Sequence, residues 1–113
     1  MVSFSRIDPH QIDISLTRGD SLIAKIKMVK DGEEYIPLPN DHVRFAMKTK
    51  YSDAEVLVEK DIPLDTCILE LKPEDTKELA MRKTYVYDIE LTDSYGRVDT
   101  FIKGRIKLTE EVE

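Results

Sequence analysis

The chain has 113 residues, 41% hydrophobic and 35% charged, a balance that fits one folded domain with a core and a wet surface. Its 23 acidic residues outnumber its 17 basic ones, for a formal net charge of −6, the wrong sign for neutralising nucleic-acid phosphates. One cysteine, Cys67, excludes a disulfide framework within the chain.

Residues 1–10 read as an N-terminal arm, 11–109 as a single domain and 110–113 as a short acidic tail. The arm has no apolar run of signal-peptide length, and no stretch of about 18 apolar residues occurs anywhere. The expectation is synthesis in the cytosol, with no membrane partner and no nucleic-acid partner.

From residue 12 the dominant period is two, which is the strand period. Ile12, Ile14 and Leu16 alternate with Asp13, Ser15 and Thr17. Arg18-Gly19-Asp20 follows and reads as a tight turn; the same tripeptide is an adhesion motif in extracellular proteins. Leu22, Ala24, Ile26 and Met28 continue the alternation. Asp31-Gly32 predicts a hairpin, because both residues tolerate positive φ, with a return strand near Glu34-Tyr35-Ile36. Pro37-Leu38-Pro39-Asn40-Asp41 breaks pairing and predicts a loop.

Val43, Phe45 and Met47 begin a second set. Glu55–Glu59 predicts a short strand, and Asp61-Ile62-Pro63-Leu64-Asp65 a turn. Cys67, Leu69 and Leu71 share one strand face, which makes Cys67 a buried, inert thiol. Pro73–Met81 breaks the pattern; proline and acids at its start suit one or two helical turns, with Leu79 toward the core. Tyr85, Tyr87, Ile89 and Leu91 alternate on the next strand. Asp93-Ser94-Tyr95-Gly96 predicts another hairpin. Val98, Thr100, Ile102, Ile106 and Leu108 mark the last strand. Gly104 within it predicts a bulge or a close backbone approach. Phe101 falls out of phase, so it either faces a partner or sits at a bulge.

Seven or eight short strands with regular turn signals and one short helical turn predict an all-β, immunoglobulin-like β-sandwich. In such folds a tyrosine hydroxyl returns to the backbone just upstream, at the corner between sheets, and Tyr85 or Tyr87 fits that part. No antibody-type Cys–Trp–Cys set exists.

Catalytic chemistry finds no foothold. His10 and His42 lack metal-ligand spacing and read as solvated loop residues. Carboxylates such as Asp88 and Glu90 alternate outward along strands. The four glycines form no phosphate-binding loop. No catalytic, cofactor or metal residue is assigned, and the chain reads as a non-enzyme. Tyr35, Tyr51 and Tyr95 lie near turns, where a ring offers contact area to a protein or a sugar. With Phe101 and Lys103 of the last strand, expected to present an open edge, they form the candidate interface.

The ordered run of motifs adds a resemblance. Leu16-Thr17-Arg18-Gly19-Asp20, Leu71-Lys72-Pro73-Glu74-Asp75-Thr76 and Tyr85-Val86-Tyr87-Asp88-Ile89-Glu90-Leu91 together resemble a small phage and prophage β-sandwich, similar to the N-terminal domain of Siphoviridae baseplate upper proteins. The resemblance spans roughly residues 11–109. It implies a non-enzymatic tail or baseplate component that docks on other virion proteins, possible homo-oligomers, and a path from bacterial cytoplasm to virion. The baseplate proteins continue into a helical linker and a receptor-proximal domain, whereas this sequence stops at Glu113. The alternative is a small carbohydrate- or cell-surface-binding module using Tyr35, Tyr51 and Tyr95 as stacking platforms.

Overall fold

A computed structural model describes residues 10–30, 32–79 and 83–109. The remaining parts of the expected arm and tail lie outside the described residues. In chain order the elements are β1 (His10–Gln11), β2 (Ile14–Thr17), β3 (Leu22–Lys25), β4 (Val29–Lys30), β5 (Glu33–Glu34) and β6 (His42–Lys48). There follow β7 (Val58–Ile62), β8 (Ile68–Leu71), α1 (Pro73–Thr76), β9 (Lys83–Thr92) and β10 (Val98–Thr109). Seven of these strands have four residues or more, in line with the sequence expectation.

The fold is an all-β sandwich. The larger sheet runs β1-β10-β9-β6-β7, with β2 also on β10, and the smaller one pairs β3 with β8. The layers face each other because the period-two apolar positions must leave water. Val43, Phe45 and Met47 of β6, Tyr85, Tyr87, Ile89 and Leu91 of β9, and Ile106 and Leu108 of β10 are buried on the inner face. Leu69 and Leu71 of β8 complete the core from the other side. Burying each such side chain contributes roughly 1.5–3 kcal/mol, which explains why alternation is a strong strand signal.

β10 pairs antiparallel with β9 and parallel with β1 and β2. It is therefore flanked on both sides over much of its length. This corrects the expectation of an open edge at the last strand: the returning N-terminal strands cover it. Between Thr100 and Ile102 the register against β9 slips, because Phe101 is one residue extra. The bulge turns its ring inward, and Phe101 is 4% exposed. Of the two alternatives for Phe101, the bulge is correct, and its place as an interface residue is withdrawn.

Other local expectations divide similarly. The expected hairpin is present, β4 pairing with β5 and Gly32 at φ +80°, while Asp31 lies outside the described residues. Burial keeps alternating from Leu22 to Met28, although β3 ends at Lys25. β7 starts three residues later than expected and runs through Asp61-Ile62, so Pro63 rather than Asp61 opens the turn. Cys67 is not on the apolar face of β8. It precedes the strand with φ +54°, its amide on the Pro63 carbonyl, and is only partly buried. Leu79 packs against the core as expected. The Arg18-Gly19 turn docks inward: Arg18 Nη1 donates to the Leu79 carbonyl at 3.2 Å and the Gly19 amide to Thr76 Oγ1 at 3.0 Å.

Candidate functional site

The five candidate residues resolve into two pairs and one ring, Tyr95, apart from the other four. The first pair is Tyr51 and Lys103. The segment after β6 folds over the outer face of the large sheet, and the Tyr51 hydroxyl reaches the Tyr87 carbonyl at 3.0 Å and the Gly104 carbonyl at 3.1 Å. Lys103 Nζ stands 5.7 Å from the Tyr51 ring centre. Around them lies a charged lattice. Arg44 forks between Glu59 at 2.6 Å and Glu90 at 2.8 Å. Burial, and then the neighbouring Glu90 charge, push the Asp88 carboxyl above its usual range. His42 sits at the start of β6 rather than in a loop, with Nε2 2.8 Å from Asp61 Oδ1 across to β7. Glu59 and Glu90 share the Arg44 cation across strands, an arrangement of a solvated sheet face.

Beneath Tyr51 is a tightly fixed junction. Gly104 accepts the close passage of the chain between β1 and β2: a Cβ placed on it would stand 2.0 Å from the Ile12 carbonyl oxygen. The Ile12 amide donates to the Lys103 carbonyl at 3.0 Å. Tyr87 donates its hydroxyl to the Ile12 carbonyl at 2.6 Å, and the Arg105 amide donates to Asp13 Oδ1 at 3.1 Å. Tyr87 thus bonds the link between β1 and β2 instead of the segment just upstream of β9. Burial raises its phenol to about 12.

The second pair is Tyr35 and Phe101, with ring centres 5.7 Å apart. Tyr35 donates its hydroxyl to Asp41 Oδ2 at 2.7 Å, and the same oxygen accepts the Leu38 amide at 2.8 Å. Asp41 is buried, so one carboxylate ties both ends of the 35–41 loop. Burial, and then the bond to Asp41, raise the Tyr35 phenol to about 12. Lys30 reaches Asp99 at 3.7 Å, joining the β4–β5 hairpin to β10.

Tyr95 is 83% exposed at the tip of the β9–β10 turn, with the Arg97 guanidinium carbon 5.2 Å from its ring centre. The turn beneath it is fixed. Asp93 Oδ1 accepts the Tyr95 amide at 2.9 Å and the Arg97 amide at 3.0 Å, while Oδ2 accepts Arg97 Nε at 2.9 Å. These bonds hold the Asp93 carboxyl below its usual range. Gly96 takes φ +83°, the left-handed residue this turn needs.

Register brings Tyr95 and the 35–41 loop to one end of the sandwich. His42 pairs with Thr92, so residues 41 and 93 leave the sheet side by side. At that end Ile36 is 67% exposed and Leu38 60%. Sequence reasoning found Tyr95 but missed Ile36 and Leu38. Their signal was present: both flank Pro37, in a stretch where proline breaks strand pairing. Among the described residues no group of three or more His, Cys, Asp or Glu is placed to hold a metal, and no helix is long and apolar enough to cross a membrane.

No protein-family model matches this chain, and no curated protein does. Among solved structures it is similar to the fibronectin(III)-like modules of Clostridium thermocellum CbhA, at 12% identity over 95% of each chain, with a TM-score of 0.45.

Proposed function

We propose that this chain is a non-enzymatic docking module that holds other proteins at the loop end carrying Ile36, Leu38 and Tyr95. The observation that carries the reading is the contrast between that exposed apolar crown and its rigid base. Large apolar side chains gathered on a surface favour contact with a partner. Here Asp41, Asp93 and the Tyr35–Phe101 stack already hold the loops, so little ordering entropy is lost on binding. Tyr95 supplies the aromatic anchor typical of interface centres.

The assembly we propose is a phage or prophage tail or baseplate, the setting implied by the run of motifs from Leu16 to Leu91. The test is incorporation. The chain is co-expressed with the proteins encoded beside it, and particles are collected by sedimentation. The wild-type chain is expected in the particles, and a Leu38→Asp, Tyr95→Ala double variant is expected to stay in the supernatant with an unchanged circular dichroism spectrum. Equal incorporation of both forms defeats the assignment to this surface. Absence of both from the particles defeats the tail or baseplate role.

A further inference from the structure

We infer that the loop end takes a cationic amphipathic partner segment, an apolar anchor flanked by Lys or Arg; this rests on the docking reading above. The apolar part of the argument is the crown itself. The charge part comes from the elements that frame it. On the described residues of 29–41 and 93–99, Glu33, Glu34, Asp41, Asp93 and Asp99 outnumber Lys30 and Arg97.

The pairing sharpens that imbalance. Lys30 lies on Asp99 and Arg97 on Asp93, while Asp41 is buried on the Tyr35 hydroxyl and the Leu38 amide. Both bases are thus already engaged by acids of the same end. Glu33 and Glu34, consecutive on β5 and both exposed, carry the surplus. They lie directly before Tyr35 in the chain, at the Ile36 end of the loop.

A second copy of this chain, set crown to crown, would bring like charge against like and lose the gain from apolar contact. An acidic partner meets the same repulsion. A segment with apolar residues for Ile36, Leu38 and Tyr95, and basic residues for Glu33 and Glu34, satisfies both halves of the surface. Complementary charge would also speed encounter and make binding salt-sensitive.

The test titrates the full isotope-labelled chain with three synthetic peptides of equal length: alternating Leu and Lys, Leu and Gln, and Leu and Glu. Amide shifts are read by nuclear magnetic resonance. The Leu–Lys peptide is expected to shift Ile36, Leu38 and Tyr95 to saturation. Its affinity is expected to fall about tenfold in a Glu33→Gln, Glu34→Gln variant and again at high salt, where screening shortens to about 3 Å at 1 M. Leu38→Ser is expected to weaken it too, with the dispersed spectrum of a folded chain retained.

If Leu–Gln or Leu–Glu binds the crown as tightly as Leu–Lys, the charge inference is overturned and the docking reading stands. If no peptide shifts the crown, both are overturned. If Leu–Lys shifts scatter over the acidic outer face, or ignore Leu38→Ser, the attraction is non-specific and the inference fails.

Discussion

Two regions of this sandwich are built around tyrosines, and they use them oppositely. At the Gly104 junction, Tyr87 and Tyr51 each direct the hydroxyl to backbone carbonyls, and the region closes on itself. At the loop end, Tyr35 is tied down on Asp41, while Ile36, Leu38 and Tyr95 stand exposed. One region converts aromatic side chains into fasteners. The other uses a fastener to present apolar surface. A tyrosine near a turn therefore signals contact area only where its hydroxyl has no backbone to hold.

Breaking the junction should give the largest effect. Gly104→Ala places a methyl where the Ile12 carbonyl passes, and backbone cannot yield as a flexible side chain does. A loss of about 2–4 kcal/mol in urea unfolding is expected, on the scale of severe overpacking. Peptide binding at the loop end should survive wherever the variant is folded. An unchanged midpoint would show that β1 and β2 move aside freely.

Tyr87→Phe tests the same junction more gently. It removes the hydroxyl from a buried ring and leaves the Ile12 carbonyl without that donor. The expected cost is about 1–2 kcal/mol by denaturant melting.

Alkaline titration reports both regions at once. The phenols of Tyr35 and Tyr87 are both raised to about 12, above the ordinary value of 10.0. Their folded states hold protons that the unfolded chain releases. Their contribution to stability is thus complete below pH 10 and is lost as pH rises through about 12. Absorbance at 295 nm should show two phenols ionising near pH 12. Asp41→Asn should bring the Tyr35 step down while leaving Tyr87 in place.

The smallest effect is expected outside both regions. Cys67 holds φ +54°, where glycine fits and a β-branched residue is strained. Cys67→Gly should stay within about 1 kcal/mol of wild type, and Cys67→Val should fall about 1–2 kcal/mol below it in thermal melts. Equal melting of the two variants would remove backbone conformation as the reason.

Much of the fold was legible because alternation is a one-dimensional record of burial. The inner-face residues from Val43 to Leu108 follow it closely. The turns at Gly32 and Gly96 were legible because positive φ restricts residue choice. The sandwich class followed from strand number and spacing. Pairing across long separations was not legible. Nothing local in Ile14–Thr17 says that it lies parallel to Ile106–Thr109, and this is why β10 was mistaken for an open edge. The same ignorance hid the meeting of Tyr51 with Lys103 and of Tyr35 with Phe101. At the candidate surface, Tyr95 was read correctly as exposed, while Phe101 was misplaced because a single-residue bulge shifts the phase of everything before it. Cys67 shows the remaining weakness: an apolar pattern can extend one residue past its strand.

The parallel pairing of β2 with β10 also bears on how the molecule is made. Ile14 pairs with Ile106 and Thr17 with Thr109, so an early segment completes its ladder only with a late one. During synthesis residues 14–17 must wait unpaired until residues 106–109 have left the ribosome. Closure over such a span costs chain entropy before it returns contact energy, which makes folding slow. The interval before closure is when β10 has the bare edge that the mature protein hides, and so is when the chain is most exposed to mispairing with its neighbours.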